Sequence, residues 1–247
     1  MPERSVHDKI LSDNRIHQES GESTDLDNPE GVIKFNLDYT QSPLPAPIVD
    51  QCGDRLSTLN AWRYIFKQLE MIGEDPHRYN GLGFGNMSIR VQPDQNIFLI
   101  TGTQTGRIDH LQHQQYSLVT SADTSHNSIV AQGELRPSSE ALTHASLYAA
   151  KPSVQAVIHI HCPLIWQQAK QLKLLATGRN IAYGTPEMAN AVMTLVESIP
   201  YKQVILFSMP GHQDGVVAAG SEINAIAQTI LHTFKNALKL KCGENQS

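Results

Sequence analysis

Apolar residues fall in two rhythms along this chain. Short alternating or continuous runs, MSIRV (87–91), IFLIT (97–101), YSLVT (116–120), SIVAQ (128–132), VQAVIHIH (154–161), VILFSM (204–209) and GVVAAG (215–220), predict β-strands. Several of the earlier runs are separated only by turn residues, which suits antiparallel neighbours. Helical spacing appears between residues 55 and 72, with apolar positions 56, 59, 62, 65, 66 and 69 and a stop at Gly73. Further helices are expected from Ser138 or Ser139 to about Ala150, over 163–173 and over 186–198. The last runs from Glu222 to Lys241 with apolar residues at 223, 226, 227, 230, 231, 234 and 238. The alternation predicts one α/β domain over residues 51–247 with a predominantly antiparallel or mixed sheet.

Residues 1–50 break the pattern. They are rich in Ser, Asp, Glu, Asn and Pro, and read as an N-terminal extension, partly extended or disordered, with QSPLPAPIVD (41–50) as a linker. GVIKFNLDY (31–39) is the exception, a short strand expected to dock on the main body or on a neighbouring subunit.

Composition narrows the partners. The 247 residues carry a formal net charge of −5, with only 19 Lys and Arg spread along the chain, which excludes a nucleic-acid surface and leaves small molecules. Three distant cysteines form no CxxC pair, so a reducing compartment fits. Neither an apolar leader nor a membrane-length apolar stretch is present, and the protein is expected to be cytoplasmic.

Against that background, AVIHIH places His159 and His161 one residue apart in a strand, where side chains at i and i+2 share a face. Two adjacent imidazoles suit a divalent metal such as Zn²⁺, which takes three protein ligands in catalytic sites; hydrogen-bonded strand histidines are the competing reading. His212, in the MPGHQDGVV turn between two apolar strands, is the candidate third ligand, and His144 follows Glu140 by one helical turn.

Four blocks, GFGNMSIR (83–90), LITGTQTG (99–106), RPSSEALTHASLYAAKPSVQAVIHIH (136–161) and MPGHQDGVVAAG (209–220), together resemble the class II aldolase/adducin family, and the resemblance spans about 55–241. It implies an α/β fold, a single three-layer α/β/α domain with a predominantly antiparallel central sheet, in which His159, His161 and His212 bind zinc or another divalent metal and Glu140 is the catalytic acid/base. It also implies that Asn86, Thr105, Gly106, Ser138 and Ser139 hold the substrate phosphate. Loop amides and hydroxyls near a helix N-terminus make such an anion pocket without a basic protein. The implied activity is that of a zinc-dependent lyase performing retro-aldol cleavage of a sugar or ketose phosphate through a metal-stabilised enediolate. Sugar-phosphate 4-epimerase, dehydratase and non-catalytic adducin-like module are the alternatives, and a homo-oligomer, a tetramer in the family, is implied.

The chain departs from the family in three places. HQDG stands where members have HG, so Asp214 is a candidate to support or replace His212. The GTQTG loop is longer, leaving Thr103 and Thr105 both open for the phosphate. In NIAYGT, Asn180 stands where the aldolase has a tyrosine and Tyr183 lies inside the turn, which leaves the proton donor unassigned.

Overall fold

In the computed structural model, residues 31–199 and 204–244 are described; residues 1–30 of the expected extension, with His7 and His17, lie outside them. Eleven strands and five α-helices follow one another as β1 (Asn36–Gln41), α1 (Ala46–Gln68), β2 (Gly73–Glu74), β3 (Gly83–Phe84), β4 (Asn86–Arg90), β5 (Phe98–Thr101), β6 (Tyr116–Asp123), β7 (Ser128–Gly133), α2 (Ala141–Ala150), β8 (Ala156–His161), α3 (Pro163–Gln167), β9 (Leu175–Ala176), α4 (Pro186–Glu197), β10 (Val204–Ser208), β11 (Gly215–Gly220) and α5 (Ile223–Glu244). Nine strands form one sheet in the order β1-β7-β6-β5-β4-β8-β11-β10-β9, and β2 pairs with β3 separately.

The sheet is mixed. Its inner pairings run antiparallel, while both outermost pairings, β1 with β7 and β9 with β10, run parallel. Short turns join the antiparallel pairs β4–β5, β6–β7 and β10–β11, whereas α4 lies between β9 and β10, and α1 with β2–β6 lies between β1 and β7, connections long enough for parallel pairing.

Period-two alternation sorts the strand residues onto two faces. Met87, Ile89, Leu99, Leu118, Ile158, Ile160, Val216 and Ala218 meet α1, α3 and α5 in one core. Phe98, Ile100, Val119, Val157, Phe207, Val217 and Ala219 meet α2 and α4 in the other. Each core removes a full layer of apolar surface from water, the main favourable term in folding.

Helix boundaries shift from the periodic expectation for identifiable reasons. α1 starts at Ala46, with proline in its first turn, so PLPAP opens a helix where a linker was expected, and the anticipated boundary near residue 50 falls inside it. The same helix stops at Gln68, before Gly73: Glu70 turns left-handed (φ 56°) and Met71 N–H returns to Phe66 O at 2.9 Å. α3 ends at Gln167, short of the expected 173, and the chain turns through a left-handed Lys173 (φ 55°) into β9. The predicted arm strand is realised as β1, six residues paired in register with β7 of the same chain. Among the described residues, no helix is long and apolar enough to cross a membrane.

Candidate active site

β8 is the fourth strand from one edge and has partners on both sides, β4 and β11. Its even positions enter the α1/α5 core, so Val157, His159 and His161 face the side that carries α2. Cross-strand pairing then fixes the neighbours: Asn86 of β4 stands opposite His159, and Gly215 of β11 opposite His161. Gly215 ends a tight turn from Met209, which brings His212 back over the strand.

His159, His161 and His212 converge. All three are buried, and they offer ligand nitrogens within 4.8 Å of one another. Ring centres lie 4.9 Å (159–161), 5.1 Å (159–212) and 4.7 Å (161–212) apart. A tetrahedral ion at about 2.0–2.1 Å from each nitrogen sets neighbouring nitrogens roughly 3.3 Å apart, a spacing inside the 4.8 Å that bounds this cluster. Burial, followed by the neighbouring His212 and His159, pushes the His161 imidazole well below its usual pKa, which keeps it in the neutral form that ligates metals. The residues present therefore fit a divalent ion held by three imidazoles.

Glu140 closes the cluster from the α2 side. It caps α2 and is wholly buried, with Oε1 3.1 Å from His212 Nδ1 and 3.3 Å from His159 Nδ1. Burial acts to raise its carboxyl pKa, but the adjacent His159 and His212 outweigh it and hold the group at about 2. Behind it, His144 is fully buried one turn along α2, its Nδ1 2.7 Å from Ser88 Oγ, which also lies 2.7 Å from the Tyr148 hydroxyl. Desolvation lowers the His144 pKa to about 3, so this ring stays neutral. His144 thus adjoins the cluster and is bonded to the strand behind it.

The five residues expected to hold a phosphate come together. Asn86, Thr105, Gly106, Ser138 and Ser139 line one cavity of about 20 Å³, together with Thr103, Gln104, Gly83 and Gly85. Asn86 joins the two halves of the site, since its Nδ2 lies 3.2 Å from His159 Nδ1. Gly106 is required by space: a Cβ there would collide with the Gly73 carbonyl. Both threonines border the cavity, but the Thr105 hydroxyl donates to Gly102 O at 3.0 Å. Gln104 covers the pocket, with its Oε1 accepting from Gly83 N–H at 3.0 Å.

Asp214 does not join the histidines. It sits in a left-handed turn (φ 61°) and its Oδ2 accepts from the Tyr79 hydroxyl at 2.6 Å, leaving His212 as the residue of HQDG in the cluster. His110, His113, His126 and His232 stand away from it.

Three contributors were not legible in the sequence. Arg63 is buried in α1, and its guanidinium donates to Thr105 O and Ile108 O, both at 2.7 Å, pinning the loop that carries Thr105 and Gly106. Its one local signal was a position in register with the apolar stripe of α1. Tyr79 packs edge-on against His161 with ring centres 4.7 Å apart. Tyr183 stacks on His212 at 4.5 Å and 24°.

Fold and cluster together define a class, a metal-dependent, aldolase-like enzyme. A profile described as the class II aldolase and adducin N-terminal domain matches residues 75–239, and the chain belongs to that family. No curated protein matches it. Among solved structures, an L-fuculose 1-phosphate aldolase shares 18% identity over 78% of this chain and 87% of its own, with a TM-score of 0.56. An aldolase II superfamily protein from Pseudomonas syringae shares 16% over 79% of this chain and 77% of its own (TM-score 0.55). The L-fuculose 1-phosphate aldolase of Glaciozyma antarctica shares 13% over 81% and 77% (TM-score 0.54). At these identities the likeness is one of fold.

Proposed function

We propose that this protein is a zinc-dependent lyase that splits a sugar or ketose phosphate by retro-aldol cleavage. One observation carries the reading: a buried carboxylate, Glu140, touches two of three converging imidazoles beside a glycine-lined pocket of amides and hydroxyls. His159, His161 and His212 would hold the ion, a donor set of neutral imidazoles that suits zinc. When bound, zinc supplies Lewis acidity at the substrate carbonyl and stabilises the charge left by bond cleavage.

The chain's own groups do the rest. Glu140, ionised at neutral pH, exchanges a proton with the carbon next to the carbonyl, taking it in the direction of synthesis and returning it after cleavage. Ser138, Ser139, Asn86, Thr105 and Gly106 hold the phosphate, and Gln104 gives way to admit it. Burial keeps bulk water from a reactive carbanionic fragment. The active form is a homotetramer, to be read as molar mass by light scattering.

Metal analysis and product analysis test the reading together. Purified protein is expected to bind zinc stoichiometrically, to lose it in a His159→Ala, His161→Ala double variant, and to release an aldehyde from one member of a ketose-phosphate panel. A metal-free protein with unaltered stability in that variant points instead to an adducin-like binding module. Epimer formation without aldehyde release, or loss of water, assigns the 4-epimerase or the dehydratase.

A further inference from the structure

His159 and His161 take their positions from β8, whose backbone is paired on both sides. His212 has no such support. It stands in the loop between β10 and β11, tied by Met209 N–H to Gly215 O (2.9 Å), His212 N–H to Met209 O (2.9 Å) and Gly215 N–H to His212 O (3.0 Å). Those bonds fix the backbone, Glu140 Oε1 meets the imidazole Nδ1 at 3.1 Å, and metal affinity depends on how the ring as a whole is directed.

A side-chain stack supplies the direction. The buried Tyr183 ring lies nearly parallel to His212, 4.5 Å between centres and 24° between planes. Tyr183 is itself clamped by a segment from the other end of the chain. Val32 N–H donates to its hydroxyl at 3.2 Å. The Lys34 ammonium lies 3.8 Å from its ring centre and donates to its carbonyl at 3.3 Å. Lys34 in turn is anchored, its carbonyl accepting from Asn127 Nδ2 at 3.0 Å and its successor Phe35 buried in the α2/α4 core. Val32 and Lys34 precede the segment matched by the family profile, residues 75–239.

We propose that Tyr183 and Lys34 are positioning residues for the third metal ligand. Val32 and Lys34 clamp the tyrosine, and its ring holds the His212 imidazole at the angle needed to share a divalent cation with His159 and His161. The inference rests on the three-histidine metal centre proposed above.

The test is zinc affinity of the full-length protein, measured by competition with a chromogenic chelator, with the absorption spectrum of the cobalt(II) form as a report of geometry. Tyr183→Ala is expected to weaken zinc binding about 10–100-fold and to change the cobalt bands. Tyr183→Phe keeps the ring and should stay within about threefold of the parent, while Lys34→Met loses affinity and Lys34→Arg restores it. In a His212→Ala background, Tyr183→Ala should add nothing, because the group it orients is gone.

Parent-like affinity in both Tyr183→Ala and Lys34→Met, with His212→Ala impaired, overturns this inference and leaves the metal centre standing. A Tyr183→Ala loss of equal size in the His212→Ala background also overturns it, since the effect is then general. Unchanged affinity in His212→Ala removes the metal centre itself and this inference with it. Should Tyr183→Ala not fold, Lys34→Met carries the same comparisons.

Discussion

At Glu140, burial and charge pull in opposite directions. A carboxyl taken wholly out of water resists ionisation, yet two imidazoles within 3.3 Å keep this one ionised and therefore able to accept a proton. Glu140→Gln preserves shape and removes the proton acceptor, so turnover should fall by about 10²–10⁴ while zinc content is retained, as single-turnover kinetics and metal analysis would report. His144 gives a different observable. Its folded pKa of about 3 lies below the ordinary value of 6.5, so the unfolded chain binds a proton that the folded chain refuses. The resulting stability is fully present above pH 6.5 and is lost as pH falls toward 3. Urea midpoints should accordingly decline through that window, and His144→Gln should remove about one proton from the pH dependence.

Elements position the site by two kinds of rule, and only one of them is local. That His159 and His161 share a face follows from strand period two and is readable from six letters of sequence. Arg63 is different: its partners are carbonyls more than forty residues further on, and no local spacing announces a pairing made through space. The Tyr183–His212 stack and the Tyr79–Asp214 bond were hidden for the same reason. Boundaries were also hard to read where a left-handed Glu70, with no glycine, follows the end of α1. Arg63→Met should cost about 2 kcal/mol of unfolding free energy, because it strands the buried Thr105 carbonyl and removes a bond to the part-buried Ile108 carbonyl. In the presence of zinc, substrate KM should rise more than kcat falls, since the loop it pins lines the anion pocket and not the metal.

For the molecule as a whole, the sheet edge matters as much as the centre. β1 covers β7 with a parallel strand and carries on its N-terminal side the residues that reach Tyr183. Removing residues 1–41 uncovers the β7 edge and frees that clamp at once. The truncated protein is expected to melt lower and to self-associate, which scanning calorimetry and light scattering would detect. The family match covers 75–239, and β1, Val32 and Lys34 lie ahead of the matched segment.

The imidazoles of β8 hang from a strand hydrogen-bonded to β4 and β11 in the middle of nine. Two of the three imidazoles can therefore leave their places only with the interior of the sheet, while the third, His212, belongs to a turn. With zinc as the proposed ion, each tenfold excess of free metal over its dissociation constant should add about 1.4 kcal/mol to the thermal resistance of the fold. A chelator should bring the melting temperature of the loaded protein down to that of the metal-free form.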